Sequence, residues 1–175
     1  METTFNISVF TENSIGILNR ITIIFTRRHL NIESITASEC EVKGIYRYTI
    51  VVNTSLEQVQ KVVAQIEKQV EVLKAFFHRD EEVVHQEIAL YKMRTDAFAN
   101  GSTEGIIREH HARILTVDKE FMIIEKTGQP NELTQLFEEL NVFGVLEFVR
   151  SGRVAISKPM KTLESYLTEL EENHR

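Results

Sequence analysis

The chain has 175 residues, of which 42% are hydrophobic and 26% charged, and it carries a net charge of −6 at pH 7. These fractions exclude wholesale disorder and are typical of globular proteins, and the length suits one large domain or two of roughly 80 residues. The acidic balance argues against nucleic acid as a partner, because a negatively charged surface is repelled by phosphate backbones.

The chain begins with a strand pattern followed by a helix pattern. Residues 3–11 alternate apolar and polar side chains, which predicts a half-buried strand. Asn13 and Ser14 in the next turn are candidate N-caps, since both residue types accept hydrogen bonds from free helical N–H groups. Apolar residues then recur at helical spacing up to His29. Asn31 is the predicted helix stop, because asparagine tolerates left-handed backbone geometry.

Further elements complete a β-α-β-β-α-β order in the first half. They are strands at about 32–41 and 45–53 around a Lys43-Gly44 turn, a helix from the Ser55 cap to Val70, and a strand at 72–78. This order is typical of a ferredoxin-like unit, in which two helices cover one face of an antiparallel sheet. Neither side of the third strand is freely polar, so we expect dimerisation or domain packing to cover the second face.

The same order of elements recurs after a charged linker. Its members are strands near 86–94 and 145–149, two strands flanking Asp118-Lys119, a helix near 103–111 after an Asn100-Gly101 loop, and a helix at 131–140 begun by Pro130. The sequence therefore predicts an α+β protein with two ferredoxin-like βαββαβ units and a C-terminal helical tail. The expected boundaries are domain 1–79, linker 80–84, domain 85–158 and tail 159–175.

The most informative turn is the one that begins the first helix. A helix N-terminus presents unpaired N–H groups and partial positive charge, which suit a carboxylate. Gly16 allows a ligand to approach the backbone, and the amide of Asn13 offers both a donor and an acceptor. Taken alone, this turn is more typical of an ordinary cap than of a binding site, because caps are common.

Other chemistry finds little support in the sequence. The six histidines include no i, i+4 pair, so no metal site is predicted, and no phosphate-binding, nucleophile or other catalytic motif is present. Cys40 is the only cysteine, which rules out an internal disulfide and fits an inert thiol. With neither a signal-peptide pattern nor an apolar run near the roughly 18 residues of a membrane span, we expect a cytoplasmic protein without a membrane partner.

Four segments, taken in order, resemble the acetolactate synthase regulatory (small) subunit family, whose members carry an N-terminal ACT domain. The segments are NSIGILNR at 13–20, RHLNIES at 28–34, RYTIVV at 47–52 and GVLEFVRSGRVA at 144–155. The first matches the family's N-x-x-G-[apolar]-L-x-R loop, although Ile15 stands where members often have proline. The likeness spans about residues 5–157.

The resemblance implies a non-catalytic subunit, without a cofactor of its own, that activates the catalytic (large) subunit and confers feedback inhibition by a branched-chain amino acid, valine above all. The catalytic partner is expected to bind thiamine diphosphate, Mg²⁺ and FAD. A homodimer through the ACT domains is also implied, with the effector between the loop of one copy and Asn31 of the other. The implied effector-binding residues are Asn13, Ser14, Ile15, Gly16, Ile17, Leu18, Asn31 and Ile32.

Two alternatives belong to other functional classes. An ACT-type sensor regulating another enzyme or transcription shares the loop, but a DNA-binding version needs a helix-turn-helix or a basic stripe, and neither is apparent. A stand-alone enzyme on a ferredoxin-like fold is the second alternative, and turnover by the purified chain alone distinguishes it.

Overall fold

A computed structural model of the chain describes residues 2–98, 101–159, 165 and 168. The described part of the chain divides into two compact units, one formed by 2–84 with 153–159 and the other by 85–152. Most of the predicted helical tail, 159–175, lies outside the described residues. Among the helices described, none is both long and apolar enough to cross a membrane.

The first unit confirms the predicted β-α-β-β-α-β order. Its elements are β1 (Thr3–Glu12), α1 (Ile17–Arg27), β2 (Ser34–Glu39), β3 (Ile45–Thr54), α2 (Leu56–Ile66) and β4 (Val72–Arg79). The strands form an antiparallel sheet in the order β2-β3-β1-β4. The central strand β1 pairs with β3 along its whole length, from Thr3 opposite Thr54 to Glu12 opposite Ile45.

The core of this unit lies between one face of the sheet and the two helices. On β1 the odd-numbered residues Phe5, Ile7 and Val9 are at most 1% exposed and pack against apolar side chains of α1 and α2. Phe5 also meets Phe77 of β4 edge to face, with ring centroids 5.6 Å apart. The period-two alternation recognised in the sequence therefore sets which side of β1 faces the helices.

The predicted caps of the two helices have different outcomes. Ser55 caps α2 as predicted, since its hydroxyl accepts a hydrogen bond from the Gln58 N–H at 3.3 Å. The N-cap of α1 is Gly16 rather than Asn13 or Ser14, and no described side chain caps this end. The chain makes a tight turn before α1 that only a left-handed residue at position 16 completes, which displaces the polar residues from the cap.

The prediction that Asn31 ends α1 in a left-handed conformation is wrong. The left-handed residue is His29, with φ of 54°. The N–H of His29 donates to the Thr26 carbonyl, and the N–H of Leu30 to that of Phe25, so the free carbonyls at the helix end are satisfied before Asn31 is reached. The helix α2 ends at Ile66, four residues before the predicted end at Val70, which is 96% exposed.

The second unit repeats the arrangement, also as predicted. Its elements are β5 (Val83–Arg94), α3 (Ser102–Glu109), β6 (Arg113–Val117), β7 (Phe121–Gly128), α4 (Pro130–Asn141) and β8 (Val145–Arg150), with strand order β6-β7-β5-β8. Residues 80–82 form a 3₁₀ turn and β5 begins at Val83, so the expected linker 80–84 consists of regular structure. In the core, the Tyr91 hydroxyl donates to the Leu133 carbonyl at 2.8 Å, and burial raises the pKa of Tyr91 to about 12.

A last strand, β9 (Val154–Ser157), pairs with β5 and is grouped with the first unit, whereas the sequence analysis assigned residues 153–158 to the second domain. The carbonyl of Arg153 accepts a hydrogen bond from the Thr36 hydroxyl at 2.8 Å. The carbonyl of Ala155 accepts one from Arg47 at 2.6 Å. The chain's own C-terminal segment therefore contacts the second sheet face, for which we expected dimerisation or domain packing.

Candidate functional site

The loop over 13–16 joins the end of β1 to the start of α1 and is held by backbone hydrogen bonds. The Asn13 N–H donates to the Gly44 carbonyl at 3.2 Å, and the Ser14 N–H to the Glu12 carbonyl at 3.0 Å. The side chain of Asn13 is exposed. The backbone of the loop is thus anchored to the turn before β3, while the amide of Asn13 remains accessible to a ligand.

The N-terminus of α1 is open toward this loop. Gly16 has φ of 84° and ψ of −1°, a left-handed conformation that favours glycine. The nearest described atom to a Cβ built at Gly16 is a terminal nitrogen of Arg20, 3.9 Å away, so it is the backbone conformation and not lack of space that requires glycine. The N–H groups of Leu18 and Asn19 have no hydrogen-bond partner among the described residues. Such groups at a helix N-terminus attract a carboxylate.

Beside the loop lies an ion pair, and the sequence analysis did not assign its two residues to the site. Arg20 donates to the carboxylate of Glu71 at 2.6 Å, and the carbonyl of Glu71 accepts the Glu12 N–H at 3.0 Å. Glu71 therefore links the start of α1 to the end of β1. The signal in the sequence was the position of Arg20 four residues after Gly16, which places its side chain one helical turn along the same face.

The predicted apolar residues of the site fall into two groups. Ile15 is fully exposed and Leu18 is 45% exposed, so both can contact a ligand. Ile17 is only 3% exposed and packs in the core of the first unit. A ligand at the loop therefore meets Ile15 and Leu18, whereas Ile17 supports the helix from beneath.

The second predicted segment lies at the opposite end of α1. Asn31 donates from its amide to the Glu33 carboxylate at 3.1 Å and is exposed, and Ile32 packs partly buried against the core. α1 has 11 residues and is therefore about 16 Å long. Within one chain the structure does not bring Asn31 to Asn13, so a ligand the size of an amino acid cannot touch both.

No candidate metal centre accompanies this loop. Across residues 2–98 and 101–159, no group of three or more His, Cys, Asp or Glu side chains is arranged to hold a metal ion. The chemistry available at the loop is that of binding: backbone N–H groups and a guanidinium for an anion, an amide for a polar group, and exposed aliphatic carbon.

Two family models match the chain, one in each half. A model described as "AHAS small subunit-like ACT domain" matches residues 7–74, and one described as "Small subunit of acetolactate synthase" matches residues 86–159. The matched ranges include most of both sheets and the loop at 13–16.

Individual proteins show the same likeness over most of their length. The chain is 35% identical over 153 residues to the acetolactate synthase small subunit of Bacillus subtilis, covering 87% of this chain and 89% of that protein. It is 32% identical over 155 residues to that of Mycolicibacterium smegmatis, covering 89% and 91%. The crystal structure of the small subunit from Thermotoga maritima superposes with a TM-score of 0.81 at 29% identity, covering 90% of this chain and 99% of that one.

Proposed function

Because the chain belongs to the family of acetolactate synthase small subunits, we propose that it raises the activity of the catalytic (large) subunit and makes it sensitive to a branched-chain amino acid, valine above all. The regulatory chain supplies no reacting group. The thiamine diphosphate, Mg²⁺ and FAD expected for the reaction belong to the catalytic partner.

The observation that carries this proposal is the open, glycine-capped start of α1 beside an accessible amide. The N–H groups of Leu18 and Asn19 are free among the described residues and receive the effector's carboxylate, while the Asn13 amide holds its charged end. Ile15 and Leu18 offer exposed aliphatic surface for the effector's side chain. A zwitterion with a short aliphatic side chain matches this set of groups.

A second copy of the chain completes the site. The length of α1, about 16 Å, separates Asn31 from the loop, so the partner's Asn31 reaches the ligand only if two first units pack side by side. Two features of the unit support such a dimer. β2 is an edge strand of its sheet, and Ile23 on α1 is 40% exposed.

An effector at such an interface regulates by favouring one packing of the dimer over another. Coupling between two sites typically amounts to about 1–3 kcal/mol, which corresponds to roughly 5- to 150-fold in affinity. Leucine and isoleucine each have one methylene more than valine and differ from each other in its position. One methylene changes the free energy of binding in an apolar pocket by only about 1–3 kcal/mol. A titration with all three therefore identifies the effector.

The test is inhibition of the reconstituted enzyme by valine with an Asn13→Ala variant. Losing a hydrogen bond to a charged group costs about 1.5–3 kcal/mol, so the valine concentration for half-inhibition should rise by about ten- to a hundredfold. Activation of the catalytic subunit should remain. Asn131→Ala is the control, because Asn131 is likewise an exposed amide near the N-terminus of a helix, at the start of α4 in the other unit, whereas Asn13 lies in the loop before α1.

Equal inhibition curves for Asn13→Ala and the wild type would show that the effector binds elsewhere. Calorimetry with each of the three amino acids, with and without the catalytic subunit, tests sensing itself. No heat of binding in any combination would refute the sensing role.

A further inference from the structure

The first unit is completed by a segment that follows the second unit in the chain. Residues 153–158, here called the strap, begin with Arg153, which is only 7% exposed. A terminal nitrogen of Arg153 lies 2.5 Å from a carboxylate oxygen of Asp80 and 3.0 Å from the amide oxygen of Asn6. The amide of Asn6 donates in turn to Asp80 at 3.1 Å. The three side chains are hydrogen-bonded to one another.

Further contacts of the strap use its backbone as well as a side chain. Thr36 donates to the Arg153 carbonyl at 2.8 Å, and Arg47 donates to the Ala155 carbonyl at 2.6 Å. At the far end, the N–H of Lys158 donates to the Glu82 carbonyl at 2.9 Å. The ammonium group of Lys158 donates to the Glu81 carbonyl at 2.6 Å. The strap is thus held at its beginning, middle and end.

Burial makes these contacts costly to break. Desolvation by burial lowers the pKa of Arg47, whose guanidinium also lies 5.5 Å from the centre of the Phe10 ring. A buried cation without a partner is strongly unfavourable, and the Ala155 carbonyl is the close acceptor that the strap brings to it. The side chain of Arg153 is also buried, so the same reasoning applies to this cation, whose partner Asp80 is 43% exposed.

The strap contacts the strands that carry the two halves of the candidate effector site. Asn6 lies on β1, which leads into the loop at 13–16, and Thr36 lies on β2, which follows Asn31. Both belong to the sheet face opposite the helices, because they alternate with Ile7 and Ile35, which pack in the core. A change in the relative positions of β1 and β2 therefore strains directional hydrogen bonds to one short segment.

We propose that the strap couples the effector site to the second unit, with Arg153 and Thr36 as positioning residues for the inhibitory response. The strap is joined by a single peptide bond to Gly152, the last residue of the second unit. A movement of β1 against β2 pulls on the strap and is passed along the covalent chain into β8. Because packed elements have discrete arrangements rather than continuous ones, a small shift at the effector site is amplified into a change of arrangement. This inference rests on the proposed function, and it assigns the path by which that function is transmitted.

Thr36→Val tests the coupling, and Thr4→Val is its matched control. Both threonines lie on the same sheet face, and the Thr4 hydroxyl donates at 2.7 Å to Asn53, which is not part of the strap. Each variant keeps the side-chain shape and loses one hydrogen bond. For Thr36→Val we expect valine to bind the full-length chain alone with wild-type affinity, while half-inhibition of the complete enzyme requires about three- to tenfold more valine. Thr4→Val should match the wild type in both measurements.

Hydrogen exchange of the full-length chain supplies an independent readout. Valine should slow amide exchange over 153–158 in the wild type and in Thr4→Val, and do so less in Thr36→Val. Overlapping inhibition curves for the two variants, or valine protection of the strap that is the same in both, would overturn the coupling role. Absence of valine binding by the wild type is a different result, which overturns the proposed function and the coupling with it.

Discussion

Replacing Gly16 by alanine perturbs the candidate site through one torsion angle. The residue has φ of 84°, and the nearest described atom to an added Cβ is 3.9 Å away on Arg20. The methyl group therefore fits in space, and its penalty comes from the left-handed backbone alone. It also projects toward Arg20, beside the N–H groups that we propose for the effector's carboxylate.

Two opposing effects determine how much Gly16→Ala changes the free energy of unfolding. A left-handed conformation costs a residue with a Cβ roughly 1–2 kcal/mol. Alanine also reduces the freedom of the unfolded chain, which returns about 0.4–1 kcal/mol to the folded state. The net loss is about 1 kcal/mol in the free energy of unfolding of the first unit, which for a domain of this size lowers Tm by about 4–8 °C.

The assay pairs Gly16→Ala with Gly144→Ala. Gly144 has φ of 91° with no described atom within 4 Å of an added Cβ, so it suffers the same strain in the second unit, far along the chain from the loop. Urea unfolding with hydrogen exchange assigns the loss of stability to one unit or the other. Valine inhibition of the reconstituted enzyme should weaken for Gly16→Ala and stay unchanged for Gly144→Ala.

Two results would contradict these expectations, one for the backbone of Gly16 and one for the effector site. A Gly16→Ala protein as stable as the wild type would show that position 16 does not hold a left-handed conformation. Equal loss of stability in the two variants with equal, unchanged inhibition by valine would show that the loop is not the effector site.

The remaining predictions concern the ends of helices and the core of the second unit. His29 and His111 have φ of 54° and 51° just beyond α1 and α3, so His29→Gly and His111→Gly should each raise the free energy of unfolding by about 0.5–1 kcal/mol in urea titrations; a loss of stability would contradict the assigned backbone. Tyr91→Phe removes the hydrogen bond to the Leu133 carbonyl and should lower stability at pH 7 by about 0.5–1.5 kcal/mol. Because burial raises the pKa of Tyr91 to about 12, the wild type should lose stability as the pH rises from about 10 towards 12, and Tyr91→Phe should lose less in that range; parallel pH profiles would refute this.

Much of the fold was predictable because its signals are local. Alternation along β1 shows which side chains face the helices, and the Ser55 cap and the Pro130 start mark the beginnings of α2 and α4. The loop at 13–16 was also predicted as a candidate site, because a glycine and an asparagine before an amphipathic helix are visible in a short window.

The conformations at both ends of α1 were less predictable. Asn13, Ser14 and Asn31 have suitable side chains for the roles first assigned to them, yet Gly16 is the N-cap and His29 is the left-handed residue. Intrinsic preference is a weak guide there, because the last hydrogen bond that the helix can close decides which residue turns the chain.

The amino-acid sequence by itself determined the two βαββαβ units, since periodicity and turn residues act over a few positions. Only the tertiary structure decided that Arg153 returns to the first unit to meet Thr36, 117 positions earlier in the chain. Contacts between such distant positions leave no periodic trace, because they depend on how the elements pack and not on the residues beside them.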